Sequence, residues 1–306
     1  MRIAKPWGEE IWYSGIEARG ESHVSVEGGS LPLLDYLSLA PARLCGRTPV
    51  ILLKHLSSKP EPVVGELYFE IHRRKSEVYV VTDVDAGLYP DGAGTVNFGV
   101  NQEKRRQFPD DAAFRRAFLA AVQVCESQQE CPSGDDNSRR HMLSFVASVA
   151  LRPGDSLMVP PGVPHSLQPG LQVIEFQTPE FERRIIYASQ PGVTQSGWDS
   201  ASAIADMCLD AAPGPRPADH PDQLIAAFPE FSVSRIHLEC SQPEPLPAYT
   251  AYALSICLAG AVRIDCAQGS LTLQPGSAAF IPGSAKDVSC LAIDSSAQLL
   301  VAAPGA

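Results

Sequence analysis

Short runs of hydrophobic residues, cut by proline and glycine, alternate with polar positions over most of the chain. The first runs are TPVILLKHLSS (48–58), GELYFEIH (65–72) and SEVYVVTDVD (76–85), and their near two-residue period predicts β-strands. Residues 1–48 show no sustained period, so we expect a largely irregular arm there, with a short helix in LPLLDYLSLAP. The pattern therefore favours a mainly β protein.

A period of three to four residues appears at residue 109. The stretch PDDAAFRRAFLAAVQVCESQQE opens on aspartates and then places apolar residues at 114, 118, 119 and 122, which predicts an amphipathic helix. The later HMLSFVASVA fits either a second helix or a helix that runs into a strand. We therefore predict a helical insertion at about 109–148, set within β structure.

Strand-like runs resume after the insertion and again from residue 229, as in FSVSRIHLEC and AYALSICLAG. Between them, WDSASAIADMCLDAA predicts a helix and PGPRPADHPDQ is a proline-rich linker. Two distant segments, LRPGDSLMVPPGVPHSL and LQPGSAAFIPGSAKDVS, share the plan L-x-P-G-x5-P, which indicates two related β units. We predict a first domain at 1–190, a linker at 191–228 and a smaller β domain at 229–306.

Composition narrows the class of protein. The 306 residues are 44% hydrophobic and 19% charged, as expected of a folded globular chain, and the net charge of −11 disfavours a nucleic-acid partner. No run approaches the roughly 18 apolar residues of a membrane span, so we expect no membrane partner. The start lacks an apolar signal segment and the eight cysteines form no C-x-x-C pair, which predicts a cytoplasmic protein with reduced thiols.

The segment PGDSLMVPPGVPHSL carries one candidate metal ligand. Gly154, Pro160, Gly162 and His165 have the spacing of the second cupin motif, G-x5-P-x-G-x2-H-x3-N, with Pro169 where asparagine is usual. The glycines and prolines predict two tight turns, which present His165 at the start of the next strand. This resemblance implies a jelly-roll β-barrel of the cupin type, with His165 directed into its mouth.

Three further candidate ligands lie in the stretch ELYFEIHRRKSEVYVV. Glu70, His72 and Glu77 follow Gly65 in an order that resembles the first cupin motif, G-x5-H-x-H-x3,4-E, with a gap one residue shorter. Glu70 and His72 share a face of their strand, and Glu77 returns beside them after a short turn. With His165 they predict an oxygen and nitrogen cage for a divalent ion such as Zn²⁺, Mn²⁺ or Fe²⁺, with open positions for a substrate.

The same positions resemble the metal site of the type I mannose-6-phosphate isomerases. That family has a Gln-x-His pair, a Gly-Lys-Thr-Glu motif and a later histidine, which map onto Glu70, His72, Glu77 and His165. The motif lysine corresponds to Lys75, and KPWGEEIW near the start is similar to the family's early KPWGG. The resemblance implies two cupin domains, a helical insertion in the first, no metal in the second, and Zn²⁺ as the favoured ion with Mn²⁺ or Fe²⁺ as alternatives.

The resemblance also implies an activity. These isomerases interconvert an aldose phosphate and a ketose phosphate: a metal polarises the sugar and a base moves a proton between neighbouring carbons. The family uses an arginine shortly after the second motif, and EFQTPEFERRII offers Arg183 and Arg184, of which we favour Arg183. Lys75 is the third catalytic candidate, for tuning charge or shuttling protons.

Three residues are candidates for binding the substrate. The family's phosphate-binding serine corresponds to Tyr68, and Arg73 and Arg74 could replace the phosphate site, as could Arg183 and Arg184. Glu70 stands where the family has glutamine and adds a negative charge to the site. The expected partner is a small sugar or sugar phosphate, with mannose 6-phosphate and fructose 6-phosphate as the first pair.

Other hypotheses stay open at this stage. The cupin frame also serves sugar-binding modules and metal oxygenases, and a protein that has lost activity would keep the fold without a converged site. An isomerase needs a proton-transfer group and an anion clamp beside the metal, so Lys75 and the two arginines discriminate between these classes. In the second domain Asp287 stands in place of the metal histidine, which predicts a packing domain, or one that pairs two chains in a homodimer.

Overall fold

The computed structural model describes residues 1–45, 48–59, 69–127, 136–180, 182–186, 198–221 and 223–305. The elements before residue 207 are β1 (Arg2–Lys5), β2 (Gly8–Trp12), β3 (Ile16–Glu17), β4 (Gly20–Glu21), β5 (His23–Val26), β6 (Gly29–Pro32), α1 (Leu33–Leu39), α2 (Pro41–Leu44), β7 (Leu52–Ser58), β8 (Phe69–Ile71), β9 (Glu77–Val84), β10 (Gly94–Val100), α3 (Gln102–Arg105), α4 (Asp111–Ser127), α5 (Asp136–Leu143), β11 (Val146–Leu151), β12 (Ser156–Val159), β13 (His165–Leu167), β14 (Leu171–Gln177), β15 (Arg184–Ile186) and α6 (Ser200–Asp206). Those after residue 223 are β16 (Leu224–Ala227), β17 (Phe231–Glu239), β18 (Glu244–Pro245), β19 (Tyr252–Ala259), β20 (Val262–Cys266), β21 (Gly269–Leu273), β22 (Ala278–Pro282), β23 (Ser289–Ala292) and β24 (Ser296–Pro304).

Four larger sheets collect most of the described strands. Sheet I has the order β1-β2-β7-β14-β9-β12 and sheet II the order β11-β10-β13-β8-β15, and both come from the first part of the chain. Sheet III (β16-β17-β24-β19-β22) and sheet IV (β18-β23-β20-β21) come from the last part. Neighbouring strands run antiparallel, as between β9 and β14 and between β19 and β24. The mainly β class predicted from the sequence is confirmed.

The two faces of sheet I pack against different sheets, as the side chains of strand β9 show. Val78 and Val80 belong to a core shared with sheet III, whereas Tyr79 and Val81 belong to a core shared with sheet II. Side chains two apart share a face, so Glu77 points the same way as Tyr79. The candidate ligand therefore faces the space between sheets I and II.

Hydrophobic cores arrange the sheets as stacked layers. Separate clusters fill the space between sheets I and II, join sheet I to sheet III, and fill the space between sheets III and IV. Helices α4, α5 and α6 pack on the outer face of sheet II. Helix α4 begins after Asp110, whose carboxylate accepts a hydrogen bond from the Ala113 amide at 2.7 Å. The helical insertion expected at about 109–148 contains α4, α5 and the start of β11, so HMLSFVASVA is a helix that runs into a strand.

Tyr252 of β19 links sheet III to the chain that enters β7. Its ring is fully buried, and its hydroxyl accepts a hydrogen bond from the Ile51 amide at 2.7 Å and donates one to the Pro49 carbonyl at 2.8 Å. Buried backbone groups need partners of this kind, because an unpaired one costs about 1–3 kcal/mol. Polar as well as apolar contacts therefore hold the two parts of the chain together.

The prediction of an irregular arm at 1–48 is wrong for the first residues of the chain. Strands β1 and β2 form a hairpin, and β2 pairs with β7, so the chain start extends sheet I. The sequence shows no clear alternation here because the polar residues Glu9 and Glu10 are adjacent. In the structure Glu10 and Trp12 are nevertheless both buried on the inward face of the strand. The helix expected in LPLLDYLSLAP is present as α1.

No helix among the described residues is long and apolar enough to cross a lipid bilayer. Seven of the eight cysteines lie in the described ranges, and no disulfide joins any two of them. Cys45, Cys257 and Cys290 are buried, where they pack as small apolar side chains.

Candidate metal centre

Strand register brings three predicted ligands together on sheet II. Glu70 in β8 lies directly opposite His165 in β13, and opposite residues on neighbouring strands hold their side chains close together. Phe69 and Ile71, on either side of Glu70, pack against the helices, so Glu70 faces sheet I. His72 follows two residues later on the same side. Ordinary antiparallel geometry thus assembles this part of the centre.

The fourth predicted ligand approaches from the facing sheet. Ligand atoms of Glu70, His72 and His165 lie within 4.8 Å of one another. The two carboxylate oxygens of Glu77 lie 3.3 Å from Nε2 of His72 and 3.3 Å from Nε2 of His165. A Glu70 oxygen lies 3.5 Å from Nε2 of His72. The four side chains therefore meet between sheets I and II, and both imidazoles and Glu77 are buried.

A backbone carbonyl orients each imidazole. Nδ1 of His72 lies 2.6 Å from the carbonyl oxygen of Glu182, and Nδ1 of His165 lies 3.0 Å from that of Val163. With Nδ1 donating, Nε2 of a neutral ring is an acceptor, and neither Nε2 finds a hydrogen-bond donor among the described residues. Both lone pairs point at carboxylates, which are acceptors too. This donor set fits a cation at the meeting point, in the arrangement that metal-binding histidines adopt.

The charges around the centre shift several pKa values. Burial would lower the pKa of His72, but the Glu77 carboxylate and the contact with Glu70 raise it to about 9. Burial would raise the pKa of Glu70 and of Glu77, but His72 and Lys75 hold both well below their usual range. The space between the carboxylates therefore stabilises positive charge, whether a proton or a metal ion supplies it.

Lys75 is buried beside Glu77. Its Nζ forms a close ion pair with one Glu77 oxygen, and Tyr79 donates a hydrogen bond to the other at 3.0 Å. Burial would lower the pKa of Lys75, but Glu77, Glu175 and Glu70 raise it above its ordinary value. The side chain is therefore an ammonium at neutral pH, and it brings a fixed positive charge to the centre.

Arg183 faces the centre from the side of Glu70. One of its terminal nitrogens, Nη1, lies 3.5 Å from a Glu70 oxygen, at the limit of hydrogen bonding. The guanidinium is partly exposed, so it lies at the boundary between the buried ligands and the solvent. Of the substrate-binding candidates, Tyr68 lies outside the described residues.

The other three predicted arginines point elsewhere. Arg73 and Arg184 both bind the carboxylate of Asp206 at the end of α6, with Nε of Arg73 at 2.9 Å. Arg74 is exposed, and its Nε lies 3.6 Å from a Glu180 oxygen. Arg183 therefore lies beside the ligands, whereas Arg73 and Arg184 anchor α6 and Arg74 lies at the surface.

A row of inward-facing side chains across sheet I was missed from the sequence. Trp12, Lys54, Glu175 and Tyr79 are register partners on β2, β7, β14 and β9. Nζ of Lys54 lies 3.1 Å from a Glu175 oxygen and 5.0 Å from the centre of the Trp12 ring. A single lysine within the apolar run VILLKHL was the available sign of this row.

Glu175 titrates in an unusual range. Burial raises its pKa to about 7, because Lys54 offsets the burial only in part and the Glu77 charge adds to it. A buried carboxyl that changes charge near neutral pH can take up and return a proton there. Glu175 is therefore a chemical candidate that the motifs did not contain.

The second part of the chain holds no comparable group among its described residues. Asp287, which replaces the metal histidine in the repeated motif, lies between β22 and β23 with a φ of 54°. Aspartate tolerates this left-handed conformation better than most residues. The only group of histidine, cysteine and acidic side chains that converges in the described ranges is the one formed by Glu70, His72 and His165.

No protein-family profile matches the chain, and no curated protein matches its sequence. A zinc-bound mannose 6-phosphate isomerase matches with a TM-score of 0.68 and 14% identity, over 97% of this chain and 91% of that chain. A variant of phosphomannose isomerase from Salmonella typhimurium matches with a TM-score of 0.69 and 15% identity, over 99% and 93%. A mannose 6-phosphate isomerase bound with zinc and yttrium matches with a TM-score of 0.67 and 14% identity, over 97% and 91%. The chain therefore has the fold of the mannose-6-phosphate isomerases, as the resemblance of its motifs predicted.

Proposed function

We propose that the protein is a metal-dependent aldose–ketose isomerase that acts on a sugar or sugar phosphate. The observation that carries this proposal is the meeting of two imidazoles and two carboxylates, with Lys75 and Arg183 beside them. A sugar-binding module or an oxygenase would not need a buried ammonium and a guanidinium next to the ligands. The fold shared with phosphomannose isomerases supports the same conclusion.

Glu70, His72, Glu77 and His165 would hold the ion. Nitrogen and carboxylate ligands of this kind suit Zn²⁺, with Mn²⁺ or Fe²⁺ as alternatives. When bound, the ion would supply Lewis-acid polarisation of the sugar carbonyl and of the neighbouring hydroxyl. Burial keeps bulk water away from the ligands, which strengthens the electrostatic contacts that this chain makes with a substrate.

The isomerisation moves a proton between two adjacent carbons. A base removes the proton from the carbon beside the carbonyl, the electron pair shifts towards the carbonyl oxygen, and an enediol forms. The former carbonyl oxygen takes up a proton, the neighbouring hydroxyl loses one, and return of the first proton to the former carbonyl carbon gives the product sugar, so no electrons leave the substrate. Glu175, with a pKa of about 7, is suited to take and return this proton, and Lys75 is suited to donate a hydrogen bond to the sugar oxygen.

Arg183 is the residue we assign to the negative charge that develops on the enediol oxygens. It lies beside a predicted ligand and presents a guanidinium that donates hydrogen bonds. Arg184 and Arg73, which bind Asp206, are assigned to anchoring α6. Arg74, with Tyr68, stays a candidate for the far end of the substrate.

We also propose that the sheet pairs are two jelly-roll barrels of the cupin type. The domains would be 1–190 and 229–306, with a linker at 191–228. The core that joins sheets I and III supports a structural role for the second barrel, because it backs the sheet that carries Glu77 and Glu175. Pairing of two chains through this barrel remains a prediction.

Metal analysis of the purified protein tests the centre. We expect a bound divalent ion in the wild type and its loss in His72→Ala and in His165→Ala, because each removes one ligand. His237→Ala is the matched control, since His237 is exposed on β17 in the second part of the chain. A wild type without a divalent ion, or two histidine variants that keep it, would show that the centre is assigned wrongly.

The reaction is tested with the metal-loaded protein. Mannose 6-phosphate and fructose 6-phosphate are incubated in one arm, and mannose and fructose in a second. Interconversion in either arm that is lost in His72→Ala supports the isomerase, and the active arm identifies whether the substrate is phosphorylated. Metal-loaded protein that turns over neither pair would contradict the choice of substrate.

A further inference from the structure

One residue, Glu182, contacts three consecutive residues of the connection between β8 and β9. Its backbone carbonyl oxygen lies 2.6 Å from Nδ1 of His72. Its two carboxylate oxygens accept hydrogen bonds from the backbone amides of Arg73, at 2.6 Å, and Arg74, at 2.8 Å. More than a hundred residues separate the partners along the chain. Glu182 therefore joins two distant segments at the point where the centre begins.

The connection that Glu182 holds carries most of the predicted centre. It starts after Ile71, the last residue of β8, and ends at Glu77, the first residue of β9. Within it, His72 and Lys75 are buried beside Glu77. The amides of residues 73 and 74 have no strand partner, so a small change of this backbone would move the imidazole and the ammonium together.

Contacts on both sides fix His72. The Gly162 amide donates a hydrogen bond to the His72 backbone carbonyl at 2.6 Å, and the Glu182 carbonyl accepts a hydrogen bond from Nδ1 of His72. Thr178 also contacts the same connection, because its amide donates a hydrogen bond to the Ser76 carbonyl at 3.1 Å. Thr178 and Glu182 thus contact the connection near its two ends.

We propose that Glu182 is a positioning residue of the metal centre: its carboxylate fixes the backbone at 73–74, and its carbonyl fixes the ring of His72 with Nε2 facing the other ligands. This inference rests on the proposed function, because it assigns the role to a centre that binds a divalent ion. Carboxylates that accept backbone N–H bonds make strong, charge-assisted contacts. Residues that hold a ligating histidine through its second nitrogen typically contribute 10–100-fold in metal affinity or activity.

A neighbouring residue provides a matched control. Glu180 carries the same charge two positions earlier, but its contact with this connection is through the exposed guanidinium of Arg74, at 3.6 Å. Exposed pairs of this kind contribute little. Glu180→Ala therefore removes one carboxylate from the same segment without removing a hydrogen bond to the backbone at 73–74.

The test measures the affinity and visible spectrum of bound Co²⁺, with wild type, Glu182→Ala, Glu182→Gln, Glu180→Ala and His72→Ala. We expect Glu182→Ala to bind Co²⁺ about 10–100-fold more weakly and with an altered spectrum, because its backbone carbonyl remains but no carboxylate holds the backbone at 73–74, so the ring of His72 is no longer held in place against that carbonyl. Glu182→Gln keeps one acceptor oxygen, so its loss should be smaller. Glu180→Ala should match the wild type. Thermal unfolding with and without Co²⁺ should show that Glu182→Ala reduces the stabilisation gained from the metal.

The outcomes separate this inference from the proposed function. If the wild type binds no Co²⁺, or His72→Ala binds it as the wild type does, the metal centre itself is refuted. If those two behave as expected while Glu182→Ala and Glu182→Gln match Glu180→Ala in affinity and spectrum, the positioning role is refuted. If Glu182→Ala does not fold, Glu182→Gln decides: an unchanged Co²⁺ spectrum and affinity overturns the proposal, and a weaker affinity supports it.

Discussion

Glu175→Gln is expected to remove a pH-dependent loss of stability from the metal-free protein. Glu175 is 3% exposed, and burial raises its pKa from 4.5 to about 7. Between these two values the unfolded chain has released the proton and the folded protein keeps it. The folded state then binds more protons, so the free energy of unfolding falls as the pH rises through this interval and changes no further above it.

The size of the effect follows from the interval. Each pH unit corresponds to about 1.4 kcal/mol, so the wild type should lose about 3 kcal/mol of stability from this residue between pH 4.5 and about 7. Glutamine does not titrate and keeps nearly the same shape. The difference in unfolding free energy between Glu175→Gln and wild type should therefore shift in favour of the variant by about 3 kcal/mol across this interval.

Urea unfolding in the presence of a chelator, at about pH 4.5 and about pH 8, measures this difference. Comparing two pH values cancels any effect of the substitution that does not change with pH. Glu239→Gln is the control, because Glu239 is an exposed residue of β17 and its substitution should leave the pH dependence as in the wild type. An equal difference at both pH values would show that Glu175 is already ionised in the folded protein, and the proton-transfer role proposed for it would be lost.

Three further predictions follow from named contacts. Arg183→Gln should lower kcat for the isomerisation by about a hundredfold while metal analysis finds an unchanged ion content, because it removes a charge at the edge of the centre; an unchanged kcat would contradict its assignment. Lys54→Met should lower the unfolding free energy by about 3 kcal/mol at about pH 8, because it leaves the buried Glu175 carboxylate without its partner. The loss should be smaller below pH 4.5, where Glu175 is protonated, and an equal loss at both pH values would refute the pairing. Tyr252→Phe should cost about 1–3 kcal/mol in urea unfolding, because the Ile51 amide loses its acceptor; no loss would mean that water replaces the hydroxyl.

The parts of the site that could be predicted depend on relations between residues that are close together in the sequence. The spacing of Glu70, His72 and Glu77 is set by a strand and a short turn, and strand periodicity alone places the first two on one face. His165 follows two turns that proline and glycine impose. Because each of these relations spans few residues, side-chain period and turn chemistry were sufficient to predict them.

The residues that were missed come together only through pairing between distant strands. Lys54, Glu175 and Trp12 lie on different strands, and their common row depends on the register of β2, β7 and β14. The sequence does not contain that register in any local pattern. The same limit applies to the two arginines: adjacent residues point to opposite sides, and only the placement of α6 with Asp206 decides which side carries Arg184.

The glutamate at position 70 and the arginine at position 183 are best understood together. Glu70 gives the centre a second carboxylate, where the resembling isomerases have an amide, and an added negative charge would by itself repel an anionic sugar. In this structure each carboxylate has its own cation: Arg183 lies beside Glu70, Lys75 beside Glu77 and Lys54 beside Glu175. When a bound ion holds the imidazoles in their neutral form, these pairs balance, and the charge of that ion is left to attract the oxygens that become negative on the sugar. The added carboxylate is therefore compatible with an isomerase as long as Arg183 stays beside it.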